Sequence, residues 1–176
     1  VVKSHKDGLR WYQLYVLKPK EKTLKVIEKV EKLGFTAVVI TVDVPVAGYR
    51  ERDMRAKAQK TQADINNEKA STIENFAFLN NQMDSTMDWE TIKFLKEKTK
   101  LDIILKGVHH PEDALIAAKI GIKGIIVSNH GGRQLDTVPS GLEMLIPIKR
   151  AVKEYKNFDV YVDGGIRRGT DIFKAL

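Results

Sequence analysis

The chain has no cysteine among its 176 residues. That excludes disulfides, thiolate nucleophiles and every metal site that needs sulfur, and it is compatible with a reducing compartment without requiring one. Long apolar runs are absent too: no segment could cross a bilayer, and none has the apolar core and small-residue cleavage site of a leader. Common catalytic signatures are also missing. No serine sits on a nucleophile elbow, no Gly-x-Gly-x-x-Gly opens the first helix, and there is no P-loop. Aromatic residues reach only 7%, and no basic block is interleaved with them. The net charge of +7 therefore reads as solvated, lysine-rich helix faces able to attract small anions, and no nucleic-acid partner is expected. His109 and His110 are adjacent but lack a nearby carboxylate triad, so no metal is expected there.

What the chain does have is a regular order of apolar runs and amphipathic stretches, on a length sufficient for one domain with a real core. Trp11 to Val16 reads as a strand, and Lys20 to Leu33 as a helix with Val26, Ile27, Val30 and Leu33 on one side, stopped by Gly34. The β-branched run Ala37 to Val42 suits a strand covered on both faces. Residues 56–87 break the rhythm; polar and rich in Lys, Gln and Asn, they read as a variable, partly mobile excursion. The pattern resumes with a helix at Asp88 to Thr99, a strand at Asp102 to Lys106 and a helix from Pro111 to Lys119. A strand at Ile122 to Val127 follows, then a helix from Ser140 to Glu154, opened by a Ser140–Glu143 capping box and carrying Pro147 as a source of distortion. Val160 to Val162 is a further strand, and Arg168 begins another helix. Such units wind either into an open doubly wound sheet or into a closed (β/α)8 barrel, which these five strands cannot complete. With Leu176 only one turn into a helix, the chain is expected to be a piece of a larger α/β fold.

The carboxyl end of every strand carries polar side chains. Gln13 and Tyr15 lie at the first, Thr41 and Asp43 at the second with Arg50 beyond, and Lys106 at the third. His130 and Arg133 follow the fourth, and Asp163-Gly164-Gly165-Ile166-Arg167 the fifth. Parallel strands bring these ends to one face, where barrel enzymes keep their chemistry. A histidine can exchange a proton near neutral pH, and Asp43 would orient the His130 ring. Arg133 and Arg50 offer a clamp for an organic acid, while Tyr15 can hydrogen-bond a hydroxyl or developing oxyanion. The Asp-Gly-Gly-Ile-Arg run suits a phosphate. Lys106 either stabilises negative charge on a reduced ring or forms a Schiff base as in an aldolase. Each residue alone has a duller reading: Asp43 as a turn former, Lys106 as a snorkelling lysine, Tyr15 as a half-buried aromatic, and residues 129–133 as an exposed turn. Polar groups after all five strands weigh against coincidence.

Five segments in order carry a resemblance: Trp11 to Tyr15, Thr41 to Asp43 with Gly48 to Arg50, Leu105 to Val108, Ser128 to Asp136, and Asp163 to Asp171. They resemble the FMN-dependent 2-hydroxy-acid oxidases and dehydrogenases, a family that includes glycolate oxidase, lactate oxidase and the flavin domain of flavocytochrome b2. The resemblance implies a (β/α)8 barrel with non-covalent FMN, of which residues 1–176 would supply about strands three to seven, with residues 56–87 as the variable active-site loop. It implies flavin-ring contacts at Gln13, Thr41, Lys106 and Ser128, and a ribityl and phosphate segment at Asp163, Gly164, Gly165, Ile166 and Arg167. Substrate positions would be Tyr15, Arg50 and Arg133, with His130 as the active-site base paired with Asp43. The implied reaction oxidises an L-2-hydroxy acid to a 2-oxo acid by a hydride or a carbanion route, with oxygen or a cytochrome as acceptor and a homotetramer as assembly. The compartment stays open between peroxisome, mitochondrion and cytoplasm. A catalytically incomplete fragment with residual flavin or phosphate binding is the other expectation.

Overall fold

Along each strand run, successive side chains turn to opposite faces, and here both faces are spoken for. The structure, a computed structural model, describes residues 8–52, 55 and 82–176. Its strands β1 (Trp11–Leu14), β2 (Ala37–Thr41), β3 (Asp102–Val108), β4 (Gly124–Val127) and β5 (Asp159–Val162) form one parallel sheet in chain order. Between and after them lie α1 (Lys20–Lys32), α2 (Trp89–Glu97), α3 (Pro111–Lys119), α4 (Gly141–Ala151) and α5 (Gly169–Ala175). A doubly wound sheet reverses its strand order at a switch point; this sheet never reverses, which is the winding of a barrel arc.

Val38, Ile40, Ile103, Leu105, Ile125 and Val127 turn to the outer face and pack with Ile27 of α1, Leu95 of α2, Ala114 and Ala117 of α3 and Ile148 of α4. Each of the buried Val, Leu and Ile side chains among them contributes about 1.5–3 kcal/mol. The intervening residues Ala37, Val39 and Ile104, with Trp11 and Ile126 against them, form a separate cluster on the inner face. The sheet curls far enough that Trp11 of β1 meets Tyr161 of β5 edge to face, ring centroids 5.2 Å apart. Helices on one face and a curled, side-chain-filled inner face are the two layers of a barrel wall. Continuing the alternation past Val39, Ile104 and Ile126 brings Thr41, Lys106 and Ser128 to the inner face at the carboxyl ends of the strands.

Element ends differ from expectation for identifiable reasons. β1 stops at Leu14 rather than Val16, because residues 16–18 pair with residues 82–84 instead. β4 begins at Gly124, since the Ile122 N–H is used to close α3: Gly121 donates to the Ala118 carbonyl at 3.1 Å and Ile122 to the Ala117 carbonyl at 3.0 Å. Gly121 takes the positive φ of +75° that this closing turn requires. β3 runs on to Val108 through a register shift at Gly107. α4 passes through Pro147 unbroken and ends at Ala151, with Ser140 and Glu143 forming the expected capping box. Residues 56–81 of the expected variable loop lie outside the described residues. No helix among the described residues is long and apolar enough to cross a membrane.

Candidate active site

The central pair is formed by two loops that leave neighbouring parts of the sheet. His130 follows β4 and is only 6% exposed. Its Nδ1 lies 3.1 and 3.2 Å from the two Asp43 carboxylate oxygens, which follow β2. His130 holds a φ of +57°, a conformation unfavourable for a side-chain-bearing residue, and surrounding hydrogen bonds keep it there. Its N–H donates to Ser128 Oγ at 3.1 Å, and its carbonyl accepts from Arg133 Nε at 3.0 Å. Asn129 Oδ1 accepts from the Gly131 N–H at 3.0 Å, tightening the same turn.

Two residues that sequence reasoning left out fix Asp43. Gln134 donates to the Asp43 carbonyl at 3.2 Å and to the Val46 carbonyl at 2.9 Å, and accepts from the Gly48 N–H at 2.9 Å. It thus staples the β2 loop to the β4 loop. Gly107 packs its Cα directly beneath the Asp43 carboxylate, where a Cβ would stand 2.3 Å from Asp43 Cγ. Gln134 lay inside a motif already singled out, but its three-way role depends on a partner 86–91 residues away in the chain.

A second group lines the inner face beside this pair. Lys106 Nζ donates to Ser128 Oγ at 3.2 Å and lies 3.4 Å from Asp163 Oδ2. Ser128 is fully buried and serves both Lys106 and His130. Further round the sheet, Gln13 Nε2 donates to Thr41 Oγ1 at 2.8 Å. Of the remaining expected residues, Tyr15 is half-buried one position past β1, and Arg50 is half-buried on the loop after β2. Arg133 is exposed apart from its Nε contact. Gly164, Gly165, Ile166 and Arg167 form an exposed turn before α5, where the Asp171 carboxylate accepts from the Arg167 and Arg168 N–H groups.

These residues fit a flavin. Asp163 Oδ1 is buried without a hydrogen-bond partner, a costly arrangement unless a ligand donor, such as a sugar-chain hydroxyl, supplies one. Beside it, the Lys106 ammonium provides the positive charge that an electron-accepting ring would need, and Gln13 and Thr41 present amide and hydroxyl groups along the same wall.

Comparison with known proteins bears directly on this arrangement. The chain matches the FMN-dependent dehydrogenase family over residues 1–176. It is 42% identical over 175 residues to the L-lactate dehydrogenase (cytochrome) of Saccharomyces cerevisiae, covering 96% of this chain and 30% of that protein. It is 40% identical over 189 residues to human 2-hydroxyacid oxidase 1, covering 100% of this chain and 50% of that protein. Among solved structures, the flavin-binding domain of baker's yeast flavocytochrome b2 superposes with a TM-score of 0.81 at 39% identity, covering 99% of this chain and 42% of that one. The chain thus spans half or less of the length of these relatives. The flavocytochrome likeness identifies the five-stranded sheet as an arc of a (β/α)8 barrel, and the family match over residues 1–176 identifies FMN as the cofactor this wall is built for. With family match, fold and site chemistry in agreement, the chain belongs to the FMN-dependent dehydrogenase family.

Proposed function

We propose that the protein oxidises a small L-2-hydroxy acid to the corresponding 2-oxo acid. FMN, when bound, supplies the two-electron acceptor. The observation that carries the reading is the pair of half-buried Asp43 and buried His130, set on the same strand-end face as Lys106, Ser128 and Asp163. An ionised Asp43 can only accept, so it holds the His130 proton on Nδ1 and leaves the Nε2 lone pair to take the proton of the substrate hydroxyl. The same carboxylate then stabilises the imidazolium. Arg133 and Arg50 hold the substrate carboxylate, and Tyr15 hydrogen-bonds the reacting oxygen. Lys106 donates to Ser128 and pairs with Asp163, contacts that an imine-forming lysine would forfeit, so the aldolase reading is the weaker. Because β1 and β5 each pair on one side only among the described residues, the activity is assigned to the complete protein.

The test uses the full-length protein with flavin bound. Anaerobic L-lactate or glycolate should bleach the flavin absorbance, and H130Q should keep the flavin while slowing bleaching by at least about 100-fold. An H130Q variant reduced at the parental rate would remove His130 from the chemistry. Borohydride trapping of substrate on Lys106 would favour the aldolase. The relatives named above include both a cytochrome-linked dehydrogenase and an oxidase, so the acceptor is assigned by comparing oxygen uptake with cytochrome reduction in the same preparation.

A further inference from the structure

Tyr15 lies between two backbone restraints and belongs to neither. The β1 ladder ends one residue before it, at the Leu14–Ile40 pairing. The second restraint starts one residue after it. The Val16 carbonyl accepts from the Asp84 N–H at 2.8 Å, Leu17 bridges Met83 in antiparallel fashion, and the Lys18 N–H donates to the Gln82 carbonyl at 2.7 Å. The Leu17 N–H donates to the buried Thr23 Oγ1 at 2.8 Å. Side chains lock this clasp: the Lys18 ammonium lies 3.2 Å from Asp84 Oδ1, and the same oxygen accepts from the Thr86 N–H at 2.9 Å and its hydroxyl at 2.7 Å. Asp84 is 8% exposed, and the clasp borders Tyr15, because Tyr15, Thr41, Val44, Met83 and Asp84 share the walls of a cavity of only ≈ 40 Å³.

We propose that Asp84 is a positioning residue for the reaction, acting through Tyr15: the Lys18–Asp84–Thr86 clasp fixes the chain on the carboxyl side of Tyr15 and so sets where its hydroxyl meets the substrate. The inference rests on the reading of Tyr15 as a substrate contact. Without the buried carboxylate, Val16 to Lys18 lose the partner strand that Asp84 anchors, and the chain just past Tyr15 is freed. Displacement by a fraction of an ångström is enough to weaken a hydrogen bond made in the transition state.

A double-mutant cycle in the full-length flavoprotein tests this. D84A should lower kcat/KM for the hydroxy acid about tenfold in the Tyr15 parent, which is ~1.4 kcal/mol, and D84N, which keeps an oxygen acceptor, should recover most of the loss. In the Y15F background D84A should change kcat/KM by less than twofold, because the contact through which it acts is already gone. An equal tenfold loss in both backgrounds would overturn the inference and make Asp84 merely structural, as would no loss in either. If Y15F alone leaves kcat/KM unchanged, the substrate reading of Tyr15 fails, and the inference with it. Should D84A not fold, the same cycle with K18M decides, since it removes the half-exposed partner and leaves the buried carboxylate its Thr86 donors.

Discussion

Replacing Gly107 with alanine, set beside a control glycine, separates backbone strain from damage to the Asp43–His130 pair. Gly107 has a φ of +99°, and a Cβ there would lie 2.3 Å from Asp43 Cγ, 2.5 Å from its Cβ and 2.7 Å from Oδ1. Carbon pairs rest near 3.5–4.0 Å, so Asp43 has to retreat by about 1 Å or more. The contacts of 3.1 and 3.2 Å to His130 Nδ1 then stretch out of hydrogen-bonding range. A misplacement of that size lowers the rate about 100-fold, or ~2.7 kcal/mol of barrier. Positive-φ strain adds a separate stability loss of about 1–3 kcal/mol. G121A is the control, because Gly121 has a φ of +75° but a Cβ there meets only the flexible Lys96 side chain at 3.4 Å. In full-length flavoprotein, stopped-flow flavin reduction and thermal melting should show both variants destabilised and only G107A slow. A flavin-loaded G107A reduced at the parental rate would refute the claim that this close approach sets the Asp43–His130 geometry.

Other outcomes follow from contacts already described. K106M removes the charge beside Asp163 Oδ2 and the donor to Ser128, and should lower flavin occupancy and slow reduction, measured as the flavin-to-protein absorbance ratio and bleaching rate. S140A opens the α4 capping box and should lower the melting midpoint by about 2–4 °C without changing flavin reduction. Burial opposes ionisation of Asp84, but hydrogen bonds from Thr86 and the Lys18 ammonium outweigh it and hold the carboxyl below its usual range. The folded state therefore binds this proton less readily than the unfolded chain. Its stabilising contribution is present above the unfolded carboxyl range and fades as pH falls below ~4 through the depressed value. Denaturant melts from pH 7 down to pH 3 should show a loss that is smaller in D84N.

Much of this architecture was legible from residue order. The continuous β-branched run Ala37 to Val42 announced a strand buried on both faces, and placing the polar ends on one face followed from parallel pairing alone. The choice between a doubly wound sheet and a barrel was not legible from spacing, because strand order is a property of pairing between distant segments. Ile122 read as strand by its apolar side chain, yet its N–H closes the preceding helix, and only the backbone geometry reveals that competition. The roles of Gln134 and Gly107 were hidden for a similar reason: an amide and a glycine acquire them only when the β2, β3 and β4 loops converge on Asp43. The clasp between residues 16–18 and 82–84 joins short segments with no periodicity to mark them.

The edge-to-face pair of Trp11 and Tyr161 gives the arc a built-in gauge of its own curvature. Their strands are the first and last of the sheet, so the distance between the two rings reports the width of the gap that further staves must span. Opening the arc separates indole from phenol before any ladder hydrogen bond between neighbouring strands has to break. Trp89 is the only other indole among these 176 residues, and W89F would leave Trp11 as the single indole within them. Its emission would then follow curling of the barrel wall separately from the melting of its helices.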